Sequence, residues 1–397
     1  MKKFLLLSLA LASLGLPVFA LNENVVVWEQ IYGTMETDEQ RLNVMLKITE
    51  FKDRDFIPVM VSALEQLSTR RMDEGTPSEQ YSRVRLARLI IQQLGDLKSI
   101  EADESVFRIY TEATDPDLKA DAAVALGHMH STGYTERLSK DLASINLAPI
   151  PAVSRNQEII ALGIVKSLEA MHAIEGYEAV FMASTGWYSA ASNVRQTALD
   201  AMKTMVDDPT DSLLSIIRGN PSFEIKSAAL AAAVNSQAPA ERKAVVATAA
   251  LRIGLDRAAN DVASAKAVSQ LRSQAVTALS TLKDRSADTV PLLVELIKLD
   301  KKNDASLDET LRSYVALGVN GSEEACRYLS DRLAEYSAME KVDGNTVRDK
   351  TLIRQIVASM ALTGSTLVKP ALIQGLTVDY DTGILRLMEE TLAGLPK

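Results

Sequence analysis

The sequence has 397 residues, a formal net charge of −9 and a single cysteine, Cys326. An acidic chain without clustered Lys and Arg is a poor nucleic-acid binder, because counterion release rewards clustered positive charge. One thiol excludes an internal disulfide, so the stability of the fold must come from packing. No histidine is close to Cys326 in sequence to support a catalytic dyad, which favours a buried small hydrophobic side chain there.

The first residues have the layout of a secretory signal peptide. Lys2 and Lys3 precede an apolar run from Phe4 to Leu16, which is shorter than the ~20 residues that span a bilayer. We predict a signal peptide over residues 1–20, with cleavage between Ala20 and Leu21, and a retained anchor as the alternative. The mature chain, 21–397, would then be exported without a membrane span. We expect it in the bacterial periplasm, with the extracellular space as the alternative.

Helical periodicity dominates the rest of the chain. Aromatic residues make up only 5% of the sequence, and Val25 to Val27 is the one short run typical of a strand. Apolar residues recur at helical spacing, for example at Leu86, Ile90 and Leu94. Short turns separate these segments, so the sequence predicts an all-α protein.

One pattern recurs along the chain: an apolar residue, then a basic residue, then a small residue three or four positions later. We call the basic residue of each copy an anchor. The clearest anchors are Arg195, Lys226, Arg272, Arg312 and Arg354, and weaker ones are Arg41, Arg85, Lys119, Arg155 and Arg386. Their spacing runs from 31 residues (Arg195 to Lys226) to 46 (Lys226 to Arg272), with a mean of about 38, which suits repeats of two helices.

Polar residues that can cap a helix stand three or four positions before most anchors. Examples are Asp115, Ser222, Ser269, Asp308 and Thr351, which predict helix starts at those positions. An anchor in the first turn carries positive charge at the unfavourable end of the helix dipole. We therefore expect each anchor to have a structural partner, either a turn carbonyl or an acidic side chain of the next repeat. The strongest four arginine anchors should also lie in a line along stacked helices.

The fullest copy of the pattern is Asp115 to Gly127, and proline stands inside predicted first helices at Ile57 to Met60 and Val290 to Leu293. On these features the chain resembles the HEAT repeat family over about residues 35–397. The resemblance implies an α-α superhelix of roughly nine to ten helix pairs with a concave surface for partners. TPR repeats are the alternative, but their stricter period and fixed bulky aromatics are not found here.

Interruptions of the repeat are places where a partner can bind, because the loops of a repeat array gather on one edge. Ala148 to Ala152 is a proline-rich turn, and Gly186 to Ser189 places Trp187 and Tyr188 in another turn. Amphipathic aromatics are frequent anchors of protein interfaces. We predict Trp187 and Tyr188 as partner contacts; the alternative is that both rings fold back onto adjacent helix ends.

Motifs for chemistry are weak in this sequence. The three histidines, His128, His130 and His172, do not have the spacing of metal ligands on a helix. Ser280 to Lys283 matches a serine-enzyme signature by chance, since its companion motif is missing. Asp379 to Gly383 resembles the start of a calcium loop, but a helix cap explains it better. We therefore predict no catalytic residue, no metal and no cofactor.

These observations predict an exported, non-catalytic solenoid that acts as a scaffold or binds a protein or peptide partner. Two alternatives remain open at this point. One is a structural component of an envelope assembly, and the other is a lyase-like HEAT enzyme or the accessory subunit of an enzyme.

Overall fold

The computed structural model describes residues 23–68, 74–256, 262–300, 305–342 and 344–396. The predicted signal peptide and its cleavage site, Ala20 and Leu21, lie outside these ranges. Within them every regular element is helical, so the protein is all-α as the sequence predicts. The strand-like run Val25 to Val27 belongs to the first helix. No helix in the described ranges is both long enough and apolar enough to cross a membrane.

The chain divides into two compact units, and the first ends at Met205. Its described residues form ten α-helices: α1 (Glu23–Gly33), α2 (Asp38–Glu50), α3 (Ile57–Ser68), α4 (Pro77–Asp96), α5 (Asp103–Glu112), α6 (Pro116–His128), α7 (Thr135–Leu147), α8 (Ser154–Ala170), α9 (Tyr177–Thr185) and α10 (Val194–Thr204). One-turn 3-10 segments, such as Ile100–Ala102 and Ile174–Gly176, lead into several of them.

The second unit begins at Val206. Its α-helices are α11 (Thr210–Gly219), α12 (Phe223–Asn235), α13 (Ala240–Asp256), α14 (Val262–Thr281), α15 (Thr289–Asp300), α16 (Leu307–Asn320), α17 (Glu323–Val342), α18 (Val347–Thr363), α19 (Lys369–Gly375) and α20 (Thr382–Gly394).

Each unit is built from helix pairs stacked in two layers. Every even-numbered helix packs on the odd-numbered helix before it and on the even-numbered helix of the next pair in its own unit. The described part of each unit therefore holds five pairs, which agrees with the predicted nine to ten pairs for the chain. All ten predicted anchors lie on successive even-numbered helices, from α2 to α20.

Apolar faces at helical spacing bury these helices against each other. Leu86, Ile90 and Leu94 of α4 are fully buried, as predicted. Where two helices approach most closely, glycine replaces a larger side chain. A Cβ on Gly318 of α16 would lie 2.4 Å from the carbonyl oxygen of Ser359 in α18. Backbone-to-backbone contact therefore sets the spacing of α16 and α18, because no side chain fits between them.

The helix starts agree only in part with the predicted caps. Asp115 and Ser222 cap α6 and α12 through the backbone N–H groups of Leu118 and Ile225, as predicted. Three other predicted caps are wrong, because Ser269, Asp308 and Thr351 lie inside helices that begin earlier. The side chains that cap α16 and α18 are Ser306 and Thr346, each in a reciprocal capping box with the third helical residue.

Candidate functional site

The turn after α9 folds back onto the end of α7. The indole Nε1 of Trp187 donates a hydrogen bond of 3.0 Å to the carbonyl oxygen of Ile145. Its ring stacks on the ring of Tyr188 with a centroid separation of 4.5 Å. The hydroxyl of Tyr188 donates to Oδ1 of Asn146 at 2.6 Å. Both aromatic residues are thus held by polar groups on α7, 42 residues earlier in the chain.

Burial differs between the two rings. Tyr188 is only 2% exposed, and burial, together with the nearby charge of Glu158, raises the pKa of its phenol. Trp187 is partly exposed. Tyr188 therefore matches the alternative in which the ring packs against helix ends, and its ring is not available as a direct partner contact. The prediction of a contact at Trp187 stays a prediction.

The proline-rich turn between α7 and α8 lies at the same helix end. Three apolar side chains project from it into solvent: Leu147 is 85% exposed, Ile150 56% and Val153 40%. The backbone N–H of Ile150 donates to Oε1 of Gln157 in α8 at 2.8 Å, which fixes the second half of the turn. These three side chains are therefore exposed on a turn whose backbone is held to α8 by a hydrogen bond.

Polar contacts also join the two turns to their neighbouring helices. Nδ2 of Asn146 donates to the carbonyl oxygen of Ala179 in α9 at 2.8 Å. The backbone N–H of Ser189 donates to Oε1 of Glu158 in α8 at 2.6 Å. Two interruptions that are far apart in sequence thus form one edge of the first unit. We call Leu147, Ile150, Val153 and Trp187 the apolar edge. Grouped apolar side chains on a surface are a usual mark of an interaction site.

The five clearest anchors do not share one environment. Lys226 and Arg272 are buried, whereas Arg195, Arg312 and Arg354 are exposed. Lys226 donates from Nζ to the carbonyl oxygen of Ile217, which lies in the last turn of α11 and not in a connecting turn. The anchors follow one layer of helices, but they are not equivalent positions along it.

Anchors in the second unit mostly contact the neighbouring repeat. Nε of Arg272 donates to Oε1 of Glu309 in α16 at 2.7 Å, in a pair whose side chains are 7% and 0% exposed. Arg312 donates to Oγ1 of Thr277 at 3.0 Å, and Arg354 pairs with Asp381 at 3.0 Å. Arg272, Arg312 and Arg354 all lie beyond the first turn of their helices, α14, α16 and α18, which corrects their predicted place.

A second buried ion pair was missed by sequence reasoning. Nε of Arg83 donates to Oδ2 of Asp38 in α2 at 3.0 Å, and both side chains are less than a tenth exposed. The sequence pointed instead to Arg85, two residues later, which is exposed. Arg83 differs from Arg85 by its partner, Asp38, which lies 45 residues away. A local sequence pattern cannot reveal a partner at that distance.

The residues considered for chemistry are scattered. Cys326 is completely buried, as predicted, and its thiol donates weakly to the carbonyl oxygen of Gly321. His130 and His172 have left-handed backbone conformations at helix ends, with φ of 54° and 51°. Among the described residues, no three His, Cys, Asp or Glu side chains converge as a metal site would require. Asp381 caps α20 through the backbone N–H of Ile384.

No protein-family model matches the chain, and no curated protein matches it. Among solved structures, an engineered protein is similar over 92% of this chain and 98% of its own, with 14% identity and a TM-score of 0.34. Human deoxyhypusine hydroxylase in complex with glycerol is similar over 86% of this chain and 96% of its own, with 12% identity and a TM-score of 0.26.

Proposed function

We propose that this chain is an exported, non-catalytic repeat protein that binds a protein partner through the apolar edge of its first unit. The observation that carries the proposal is the exposure of Leu147 and Ile150, 85% and 56%, on a turn held in place by hydrogen bonds. Tryptophan is enriched at interface centres, and these centres are more apolar than the rest of the protein surface.

The helical scaffold supports this function energetically. Helices α7, α8 and α9 are packed before any partner arrives, and Asn146 and Gln157 hold the two turns by accepting hydrogen bonds from Tyr188 and Ile150. Because this surface is already ordered, binding of a partner costs it little conformational entropy. The partner that suits the edge presents apolar side chains of its own, because the four side chains that define the edge are apolar or aromatic.

The family and compartment belong to the same proposal. Ten helix pairs of about 38 residues, with a basic anchor on every second helix, support a member of the HEAT repeat group. Export rests on the predicted signal peptide, residues 1–20. N-terminal sequencing of the protein from the exported fraction tests this part, since finding Lys2 at the N-terminus would contradict cleavage after Ala20.

Crosslinking in intact cells tests the apolar edge. We expect Leu147→Ser with Ile150→Ser to remove the crosslinked partner, because two exposed apolar anchors are lost while the helices stay packed. The matched control is Leu362→Ser with Leu367→Ser, which are 53% and 55% exposed in the second unit. Surface changes of this kind alter stability by only about 0.5 kcal/mol, so thermal unfolding should be the same for both variants.

Two outcomes contradict the proposal. The edge variant retains the crosslinked partner at the wild-type level, or the control variant loses it equally. A crosslinked product that contains only this chain points to self-assembly, which is the envelope-assembly alternative.

A further inference from the structure

The second unit contains a cavity of about 670 Å³ over the exposed face of α13. The end of α11 and the turn between α14 and α15 form its sides. Ala244, Val245 and Ala249 of α13 form an apolar floor together with Leu282. Because alanine has no side chain beyond Cβ, this part of the cavity wall lies close to the backbone of α13. Val245 is 52% exposed within it.

Four basic side chains from three elements surround this floor. They are Arg218 at the end of α11, Arg252 of α13, and Lys283 and Arg285 of the following turn. All four are exposed, and none makes an ion pair or side-chain hydrogen bond within the described ranges. Most other described arginines do pair with a carboxylate, as Arg242 does with Asp208 at 2.9 Å. Three unpaired arginines and one unpaired lysine thus meet at this cavity, although the chain as a whole is acidic.

The turn that carries two of these cations is fixed. Oδ1 of Asp284 accepts from the backbone N–H of Ser286 at 3.2 Å, and Oδ2 accepts from Oγ1 of Thr289 at 2.6 Å. Nδ2 of Asn320 donates to the carbonyl oxygens of Asp284 and Ser286 at 3.2 and 3.0 Å. Lys283 and Arg285 flank Asp284, so their backbone positions do not need to be ordered by a ligand.

Three carboxylates also line the cavity: Glu241, Asp284 and Asp288. Both oxygens of Asp284 accept hydrogen bonds inside the turn, which fixes the direction of this carboxylate but leaves its charge in place. The lining therefore holds four cations against three carboxylates. Within a chain of net charge −9, this is a local excess of positive charge.

We propose that this cavity binds a small organic anion that carries at least two phosphate or carboxylate groups on a partly apolar body. Guanidinium groups form paired hydrogen bonds with both kinds of anionic group. The volume lies within the ~300–1,000 Å³ that small-molecule pockets occupy. The apolar floor takes the body of the ligand while the basic rim takes its charges. This site lies in the second unit and is independent of the apolar edge.

Calorimetric titration of the full chain tests the site, with pyrophosphate and citrate as probes. We expect saturable binding of at least one probe at one site per chain, and weaker binding as salt is raised. Acetate at matched ionic strength should give no saturable signal. Binding of pyrophosphate alone identifies a phosphate ligand, and binding of citrate alone identifies a polycarboxylate.

The variant is Arg252→Gln with Arg285→Gln, because both side chains are exposed and take no part in packing. We expect it to weaken binding about tenfold or more, since two charge-assisted contacts are lost. Lys283 is left unchanged because its φ of 55° would confuse loss of charge with backbone strain. The matched control, Arg155→Gln with Arg195→Gln, removes two exposed arginines that do not line the cavity. It should change the affinity less than twofold.

Three results would overturn the proposal. Neither probe gives saturable heat, the control weakens binding as much as the cavity variant, or the cavity variant binds as the wild type does. Saturable binding of a short glutamate-rich peptide, when both small probes fail, also rejects the small-anion site. That outcome assigns the cavity to protein recognition instead.

Discussion

The ion pair between Arg272 and Glu309 is the most deeply buried in the described ranges, with side chains 7% and 0% exposed. The carboxylate of Glu309 joins α14 to the start of α16 through three contacts. Oε1 accepts from Arg272, and Oε2 accepts from the hydroxyl of Ser269 and from the backbone N–H of Ser306, both at 2.8 Å. Glu309→Ala removes all three contacts and leaves a buried guanidinium without its carboxylate.

Removal of one partner of a buried pair costs about 3–5 kcal/mol. We therefore expect Glu309→Ala to lower the free energy of unfolding of the second unit by about 4 kcal/mol. Arg272→Met should cost less, about 3 kcal/mol, because Ser269 and Ser306 still donate to the remaining carboxylate. The double variant Arg272→Met with Glu309→Ala should lose less stability than the sum of the two single changes, by at least about 2 kcal/mol.

Repeat proteins unfold in parts, so urea unfolding should be combined with native-state hydrogen exchange of the α14 and α16 amides. The control is Arg312→Met, whose partner Asp308 is exposed. Its effect should stay within about 0.5 kcal/mol. A loss below about 1 kcal/mol for Glu309→Ala, or single changes that simply add in the double variant, would refute the reasoning.

Two further changes test the packing and the burial of single groups. Gly318→Ala should destabilise the second unit by about 1–3 kcal/mol, because the added Cβ would clash with the backbone of α18. The control is Gly219→Ala, since a Cβ at Gly219 would have no atom within 4 Å. Equal melting temperatures for the two variants would contradict the close approach of α16 and α18. Burial raises the pKa of Tyr177 to about 12, so its contribution to stability is complete below the ordinary phenol pKa of about 10 and is lost as pH rises through the folded value. Tyr177→Phe should therefore lessen the loss of stability between about pH 10 and 12. Melting temperatures measured across this pH range test the prediction. The same pH dependence in wild type and variant would show that the phenol of Tyr177 ionises freely in the folded protein.

Local sequence was sufficient for the helices and their pairing. Apolar spacing such as that of Leu86, Ile90 and Leu94 depends only on neighbouring residues, and those side chains are buried as predicted. Helix starts were less predictable, since a serine or threonine inside a helix looks the same as a cap. Thr351 bonds back to the carbonyl oxygen of Val347 within α18, whereas Thr346 provides the cap.

The candidate sites depend on contacts between distant segments. Trp187 and Tyr188 were singled out from the sequence, but their direction is set by Ile145 and Asn146, 42 residues earlier. The cavity over α13 had no sequence signal, because its basic residues come from three elements and follow no common spacing. Such convergence is a property of the fold and not of any segment.

The position of Trp187 also allows binding at the apolar edge to be followed by intrinsic tryptophan fluorescence. The sequence contains two tryptophans, and the other, Trp28, packs edge-on against Phe51 with a centroid separation of 6.0 Å. Trp28→Phe would leave all indole emission to Trp187, whose ring bonds to the carbonyl oxygen of Ile145 near the end of α7. A molecule that covers this ring and excludes water shifts its emission to shorter wavelength, so occupancy of the edge becomes measurable in real time without any attached dye.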